Sequence, residues 1–181
     1  MGDAARWDAK HGAAEGGPQT ADPFVVRALE QLGPGTGRRA LDLAAGRGRH
    51  ALELAARGWS VEAWDLSPVA LDGIAAAARE RELAVETREF DLEGPLPAGE
   101  RADLVLVVNY LDRGLLERTR QLLAEGGHLL FTTFTTERTG EHPSARFCLD
   151  PGELAAGIAG FETRHHEEGG GRAGILARRE R

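Results

Sequence analysis

A short glycine-containing segment near position 45 carries the residues whose types and spacing best suit ligand chemistry. Gly46 and Gly48 allow the backbone to approach a ligand closely, and a helix that follows such a turn presents free N–H groups with a partial positive charge. Asp42 precedes the turn and adds a carboxylate. This combination predicts a site for a nucleotide-like ligand.

The glycine spacing alone does not identify the ligand. GRGRHA (46–51) also satisfies G-x-G-x-x-G/A, the fingerprint of a dinucleotide pyrophosphate. The carboxylate of Asp42 would repel a pyrophosphate, whereas it would attract the ammonium and sulfonium of S-adenosylmethionine. Asp42 therefore favours S-adenosylmethionine as the cofactor. The alternative is that Asp42 caps the turn or pairs with Arg47 or Arg49.

Two further carboxylates follow predicted strands. Asp65 comes 19 residues after Gly46, close to the roughly 20 expected of an acid that binds ribose hydroxyls. Capping of the next helix is the alternative role. Asp91 is placed to accept the adenine amino group, with Leu92 packing on the ring, or else to serve only in a turn. Asp65 would serve S-adenosylmethionine and a dinucleotide equally well.

Alternating strands and helices must position these residues. Strands are predicted over residues 40–44, 59–65, 83–91, 102–110 and 127–135, with helices over 50–58, 69–82, 114–125 and 151–159. An earlier helix begins after Asp22, with Pro23 at its first position, and stops at Gly33. Strands over 161–168 and 173–179 form a hairpin around Gly169–Gly171. The pattern predicts an α/β fold, a doubly wound, mostly parallel sheet with a C-terminal antiparallel hairpin.

Composition limits the classes of function. With 181 residues, we expect one domain over 22–181, preceded by an N-terminal segment over 1–21. The 22 Lys and Arg against 29 Asp and Glu give a net charge of -7, which disfavours a nucleic-acid partner. A lone Cys148 excludes an internal disulfide, and the sequence shows neither a signal peptide nor a membrane span. A cytoplasmic protein without membrane partners is expected.

No metal site is predicted. His165 and His166 are adjacent in a predicted strand, so their side chains point to opposite faces and do not readily chelate one ion. The sequence shows no heptad or long apolar stripe that would indicate an oligomeric state.

Four segments together resemble the class I S-adenosylmethionine-dependent methyltransferases, and in detail the small bacterial branch related to the tellurite-resistance methyltransferase. They are LDLAAGRGRHALELAARGWSVEAWDLSP, FDLEGPLP, ADLVLVVNYLDR and LLAEGGHLLFTTFT, supported by Trp7-Asp8 and FCLDPGEL (147–154). The resemblance implies a Rossmann-like, seven-stranded sheet whose last hairpin makes one strand antiparallel.

The resemblance also assigns roles to matching residues. The expected contacts are Asp42, Ala44, Gly46 and Gly48 at the methionine part, Asp65 and Leu66 at the ribose, Asp91 and Leu92 at the adenine, and Asn109 and Tyr110 near the reactive methyl. Two positions depart from the family pattern: Ala45 replaces a frequent Cys, and Thr133 stands where relatives often carry Glu.

The expected acceptor is a small molecule, such as a thiol or chalcogen compound, because a soft thiolate, selenide or telluride needs little catalytic help. A hydroxyl or amine acceptor would need a general base, and the candidates are His11, Tyr110, Asp112 and His142, each of which also fits a structural role. A nucleobase target is disfavoured because Cys148 lacks the proline of cytosine-C5 methyltransferases and Asn109-Tyr110 lacks the Pro-Pro of amino methyltransferases.

The N-terminal segment is either a loose tail or a lid. We expect it to fold over the bound cofactor, with Trp7 and His11 as its distinctive residues and Trp7 as a cofactor contact. Two other functions fit parts of the pattern. They are an NAD(P)-dependent oxidoreductase, favoured by GRGRHA and Asp65, and a non-catalytic S-adenosylmethionine-binding protein, suggested by Thr133.

Overall fold

The computed structural model describes residues 20–140 and 143–180 of the chain. Trp7, His11 and His142 lie outside the described residues, as does most of the expected lid. The chain divides into two compact units, the first ending at Pro95 and the second beginning at Leu96.

The first unit alternates helices with parallel strands, as the sequence predicts. Its elements are α1 (Pro23–Leu32), β1 (Arg39–Leu43), α2 (Arg49–Ala56), β2 (Ser60–Asp65), α3 (Pro68–Glu80) and β3 (Val85–Glu89). β2 pairs in parallel with both β1 and β3. β2 is therefore hydrogen-bonded to a neighbouring strand along each of its two edges.

Side-chain caps explain where two of these helices begin. The Asp22 carboxylate accepts a 2.9 Å hydrogen bond from the Phe24 N–H, and Ser67 Oγ accepts one of 3.2 Å from the Ala70 N–H. Each cap is followed by a proline, which suits the first helical position because it lacks the N–H that a helix start leaves unpaired. The predicted start of the first helix is confirmed.

The second unit contains a parallel strand pair extended by an antiparallel hairpin. Its elements are β4 (Ala102–Val108), α4 (Arg113–Arg118), β5 (Leu123–Phe134), β6 (Phe161–Gly169) and β7 (Arg172–Arg179), with 3-10 turns at Thr119–Leu122, Ala145–Phe147 and Leu154–Ala156. β4 pairs in parallel with β5, and β7 runs antiparallel to both β5 and β6. The predicted C-terminal hairpin is confirmed.

The strands form one seven-stranded sheet in the order β3-β2-β1-β4-β5-β7-β6. The fold is thus the expected Rossmann-like α/β architecture, mostly parallel with an antiparallel C-terminal pair. Among the described residues, no helix is both long and apolar enough to cross a membrane.

The helix predicted over 114–125 is wrong beyond Arg118. A 3-10 turn follows α4, and β5 already begins at Leu123, which pairs with Ala102. The Arg179 guanidinium also donates to the carbonyl of Leu123. These long-range hydrogen bonds outweigh the local helical pattern of the segment, which by itself is a weak determinant.

Other boundaries shift where the backbone turns. The helix predicted over 151–159 is only the 3-10 turn Leu154–Ala156, because Gly152 and Gly157 adopt positive φ angles of 78° and 82° on either side. The strand predicted over 83–91 ends at Glu89, and the one over 102–110 ends at Val108. Asp91 and Asn109 therefore lie just beyond their strands.

Candidate cofactor site

The turn between β1 and α2 has an unusual backbone. Gly46 and Gly48 have φ angles of 56° and 75°, and Ala44, which carries a Cβ, has a φ of 55°. The left-handed conformation costs a residue other than glycine about 1 kcal/mol or more. Such strain persists where the surrounding structure enforces it, often at a ligand site.

Gly48 cannot carry a larger side chain without movement of its neighbours. A Cβ at this position would lie 2.4 Å from Cγ1 of Ile74, a buried side chain of α3. Gly48 also forms the cap of α2 and brings the helix N-terminus directly after the turn. The glycine therefore serves both the turn and the packing of α3 beneath it.

The carboxyl group of Asp42 is buried and half-satisfied. One of its oxygens accepts a hydrogen bond from the Ala51 N–H in the first turn of α2. The other, Oδ2, has no hydrogen-bond partner among the described residues, although the residue is only 1% exposed. A buried acceptor without a partner costs about 1–3 kcal/mol. A cationic ligand would satisfy it.

Burial raises the pKa of the Asp42 carboxyl from its usual value of 3.8 to about 7, and the negative charge of Asp65 acts in the same direction. The hydrogen bond from Ala51 and the positive charge of Arg49 oppose this rise. The carboxyl therefore exchanges its proton close to neutral pH, and a bound cation would favour its charged form.

Asp65 connects the end of β2 to the glycine turn. Its Oδ2 accepts a 2.7 Å hydrogen bond from the Gly46 N–H, and its Oδ1 accepts one of 2.9 Å from the Ser67 N–H. The position of Asp65 is thus compatible with both roles considered from the sequence, ribose binding and helix capping. Asp65 orders the residues before α3, and it also contacts the glycine turn. Leu66, the next residue, is half-buried.

Asp91 and Leu92 follow β3 as the sequence predicts, but with different exposure. Asp91 is exposed, and its Oδ1 accepts a 2.9 Å hydrogen bond from the Glu93 N–H. Leu92 is buried. The Asp91 carboxylate thus stabilises a local turn while remaining accessible to solvent.

In the second unit, Asn109 and Tyr110 follow the end of β4. Asn109 is exposed and has a φ of 59°, and its Oδ1 accepts a 2.9 Å hydrogen bond from Nη2 of Arg172. Tyr110 is half-buried. Asparagine adopts this left-handed backbone conformation more readily than most residues other than glycine.

Asp112 has the role of a helix cap. It accepts a 3.1 Å hydrogen bond from the Leu115 N–H at the start of α4, and it forms a 3.6 Å ion pair with Arg118. This arrangement fits the structural alternative for Asp112. Thr133 is the second-to-last residue of β5, where it pairs with Ala173 and is buried.

The two adjacent histidines of β6 pair with acids on their own strand. Nε2 of His165 lies 2.8 Å from Glu167, and Nε2 of His166 lies 3.7 Å from Glu168. No group of three or more metal-ligating side chains occurs within residues 20–140 and 143–180.

His50 is a site-supporting residue that the sequence analysis missed. It is buried in the first turn of α2, and its Nε2 accepts a 3.2 Å hydrogen bond from the Asp22 N–H. Because a backbone N–H only donates, Nε2 carries no proton in this arrangement. His50 thus links the start of α1 to the helix that follows the glycine turn. The only feature of the sequence that could have pointed to His50 is its position directly after the glycine turn.

A separate cleft of about 490 Å³ lies at the amino end of β5. It is lined by Glu125, Gly126, Glu162, Arg178, Arg179 and Glu180. Ligands of doubly wound sheets bind outside the carboxyl ends of the strands. This cleft is therefore not part of the candidate cofactor site.

A parallel sheet with a glycine turn after β1 and carboxylates at β1 and β2 defines a Rossmann-like, nucleotide-binding class of protein. Within this class, residues 40–127 match the family model of the methyltransferase domain. The match over this segment confirms the resemblance to methyltransferases found in the sequence. No curated protein matches the chain.

Several solved structures share the fold of this chain. TehB from Haemophilus influenzae has a TM-score of 0.74 at 19% identity over 88% of this chain and 63% of that one. A SAM-dependent methyltransferase from Aquifex aeolicus has a TM-score of 0.69 at 17% identity over 99% and 100%. Geranyl diphosphate C-methyltransferase from Streptomyces coelicolor A3(2), in complex with Mg²⁺, geranyl-S-thiolodiphosphate and S-adenosyl-L-homocysteine, has a TM-score of 0.70 at 17% identity over 86% and 75%. The chain thus spans less than two thirds of TehB, and these low identities establish the fold alone.

Proposed function

We propose that this protein transfers the methyl group of S-adenosylmethionine to a small-molecule acceptor. The observation that carries the proposal is the buried Oδ2 of Asp42, which has no hydrogen-bond partner in the described part of the chain. A carboxylate in that state needs a cation, and S-adenosylmethionine offers an ammonium next to its sulfonium. A dinucleotide would instead bring a pyrophosphate to the glycine turn.

The first unit supplies the residues that bind the cofactor. Asp42 binds the ammonium, while Ala44, Gly46 and Gly48 form the backbone against which the methionine part lies. The positive φ angles of these three residues keep the turn compact. Asp65 and Leu66 bind the ribose, and Asp91 and Leu92 bind the adenine, the first by its exposed carboxylate and the second by its apolar side chain.

Asp65 is suited to ribose hydroxyls because each of its oxygens retains acceptor capacity. A carboxylate offers about four lone-pair sites, and the bonds from Gly46 and Ser67 occupy two of them. Those two bonds also hold the carboxylate in one orientation. Ordering of this kind before the ligand arrives lowers the entropic cost of binding.

Asn109 and Tyr110 contact the region of the reactive methyl, and Trp7 closes over the cofactor as part of a lid formed by residues 1–21. When bound, the cofactor supplies a methyl carbon that the sulfonium has already activated. The protein then acts mainly by positioning the acceptor and excluding water. A soft thiolate, selenide or telluride acceptor, which has already lost its proton, needs little help from the protein, whereas a hydroxyl or amine would require His11, Tyr110, Asp112 or His142 as a base.

The protein is proposed to act in the cytoplasm, as a single domain over residues 22–181, without a nucleic-acid or membrane partner. The net charge of -7 supports the absence of a phosphodiester substrate. No metal is part of the proposed mechanism, since positioning of the acceptor by protein side chains is sufficient.

Calorimetric titration with S-adenosylmethionine, S-adenosylhomocysteine and NADH tests the cofactor. Both sulfur compounds should bind, and Asp42→Asn should weaken them at least tenfold. Asp72→Asn, which alters an exposed residue of α3, should leave them unchanged. Binding of NADH alone would instead indicate an oxidoreductase and overturn the proposal.

Turnover separates an enzyme from a binding protein. Labelled S-adenosylmethionine incubated with thiols, chalcogen oxyanions, phenols and amines should yield a labelled product. Absence of product across the whole panel would favour a non-catalytic protein.

Removal of residues 1–20 tests the lid, because it should lower cofactor affinity and hydrogen-exchange protection around the glycine turn. Unchanged values of both would exclude a lid.

A further inference from the structure

Two aromatic rings and an arginine pack together near the carboxyl ends of β2 and β3. The ring centroids of Trp64 and Phe90 lie 4.8 Å apart, with an angle of 43° between the ring planes. The guanidinium carbon of Arg88 lies 4.7 Å from the Trp64 centroid and 5.3 Å from the Phe90 centroid. Both distances are within the range of a cation–π interaction. The cluster lies entirely in the first unit.

The core residue of the cluster belongs to β2. Trp64 is completely buried, and it pairs with Arg88 in the parallel register of β2 and β3. Nη1 of Arg88 also lies 3.7 Å from Oε1 of Glu62, a second residue of β2. Residues two apart along a strand project from the same face of the sheet. Phe90 comes two residues after Arg88 and packs on the face that Trp64 occupies.

A backbone hydrogen bond attaches Phe90 to the same strand. The Phe90 N–H donates a 2.9 Å hydrogen bond to the carbonyl of Asp65, the last residue of β2. Asp65 pairs with Glu89 in the strand register, so this bond continues the β2–β3 pairing one residue beyond the end of β3. The backbone and the side chain of Phe90 are thus both attached to β2.

The turn that carries Asp91 begins directly after Phe90. The Asp91 carboxylate accepts a 2.9 Å hydrogen bond from the Glu93 N–H, and the Asp91 carbonyl accepts one of 3.2 Å from the Gly94 N–H. These bonds join residues of the same turn, so they set its shape. The attachment of Phe90 to β2 sets where the turn begins, and hence where the Asp91 carboxylate lies relative to Asp65.

The exposed carboxylate of Asp91 is suited to distinguish one purine from another. Adenine carries an amino group that donates to a carboxylate, whereas hypoxanthine carries a carbonyl in its place, which only accepts. A carboxylate that faces a carbonyl leaves both acceptors without a donor. Because a hydrogen bond needs a donor–acceptor distance of about 2.7–3.2 Å, the discrimination depends on accurate placement of Asp91.

We infer that Phe90 positions Asp91 and thereby determines the preference of the cofactor site for adenine over hypoxanthine, with Trp64 and Arg88 holding the Phe90 ring. Phe90 acts through Asp91 and is therefore a positioning residue. The inference rests on the proposed function, because it concerns the residue assigned to the adenine of S-adenosylmethionine.

Calorimetric titration with S-adenosylhomocysteine and S-inosylhomocysteine tests this role. The wild type should bind the adenine compound at least about tenfold more tightly, as expected for one hydrogen bond to a charged group. In Phe90→Ala the two affinities should lie within about threefold of each other, because the turn loses its anchor on β2. Phe90→Tyr keeps an aromatic ring and should restore most of the preference. Arg88→Gln leaves both rings in place and should give an intermediate ratio.

Phe147→Ala is the matched control, because it makes the same substitution at an exposed phenylalanine of the second unit. It should leave the preference for the adenine compound unchanged. Thermal unfolding of each variant reports folding separately from binding. If Phe90→Ala does not fold, the ratios of Arg88→Gln and Phe90→Tyr decide the question.

A purely structural role of Phe90 gives a different result. Phe90→Ala would then lower the unfolding temperature and weaken both compounds by the same factor, which would overturn the inference. A wild type that binds both compounds equally, or an Arg88→Gln protein that keeps the full preference, also overturns it. In each of these cases S-adenosylhomocysteine still binds, so the proposed cofactor stands. A wild type that binds neither compound contradicts the proposed function, and the inference about Phe90 fails with it.

Discussion

The Gly46 N–H donates a 2.7 Å hydrogen bond to Oδ2 of Asp65, across 19 residues of chain. The bond joins the turn after β1 to the end of β2. Sequence spacing assigns Asp65 to the ribose. Through this hydrogen bond, Asp65 also sets the conformation of the glycine turn, which is assigned to the methionine part of the cofactor. Loss of Asp65 should therefore affect both parts of the proposed site.

Asp65→Asn should weaken S-adenosylhomocysteine binding about 10- to 100-fold. The amide retains one acceptor oxygen, so the variant loses one of two backbone hydrogen bonds together with the negative charge, and a hydrogen bond to a charged group contributes about 1.5–3 kcal/mol. Calorimetric titration measures the effect, with Asp72→Asn as the control. Wild-type affinity in a correctly folded Asp65→Asn protein would contradict the proposed role.

Asp42 should make the folded protein less stable as the pH rises. The raised pKa of about 7 means that the folded state binds the proton more tightly than the unfolded state, whose carboxyl has the usual value near 3.8. This contribution to stability is complete below about pH 3.8 and is lost as the pH rises towards 7. The total change is on the order of 4 kcal/mol.

Denaturant unfolding of the wild type and Asp42→Asn at several pH values checks this dependence. The asparagine does not titrate, so the stability of the wild type relative to Asp42→Asn should fall between pH 5 and 7 and then level off. A difference that is constant over this range would show that Asp42 titrates normally in the folded state.

The sequence predicted the order of elements well because the first unit signals it locally. Asp22 and Ser67 each precede a proline at a helix start, and β2 and β3 end at the acids Asp65 and Glu89. The hairpin was predictable for the same reason, since three consecutive glycines, Gly169–Gly171, separate two strands. Short-range chemistry decides these boundaries.

Features that depend on distant contacts were not predictable. The segment after Arg118 looks helical but becomes β5 because Leu123 pairs with Ala102. The Asp42 oxygen that has no hydrogen-bond partner among residues 20–140 and 143–180, and the contact between Asn109 and Arg172, likewise require knowledge of what lies nearby in space. The sequence could name Asp42 and Asn109 as candidate site residues but not their partners.

Gly48→Ala should destabilise the protein by about 2 kcal/mol or more. The new Cβ would meet Ile74 at 2.4 Å and would occupy a residue whose φ is 75°, so overpacking and backbone strain add. Gly73→Ala is the matched control, because this exposed helical glycine has open space around its Cβ position and should become about 0.5–1 kcal/mol more stable. Denaturant unfolding measures both. Equal stability of the two variants would contradict the tight approach of Gly48 to Ile74.

Cofactor affinity should rise with pH if Asp42 binds the ammonium. Only the charged carboxylate attracts a cation, so below a pKa of about 7 the binding of S-adenosylhomocysteine must be coupled to release of a proton from Asp42. Asp65 and Arg49 are the charged groups that act on this carboxyl, and their opposing effects leave burial as the main cause of its raised pKa. An α-amino group stays protonated below its usual pKa of about 7.7.

Between pH 5.5 and 7, the affinity for S-adenosylhomocysteine should therefore increase by up to about tenfold per pH unit. Calorimetry in buffers of different ionisation enthalpy should detect the released proton. Asp42→Asn should remove both effects, and a wild type whose affinity stays flat or falls over this range would assign the ammonium to another group.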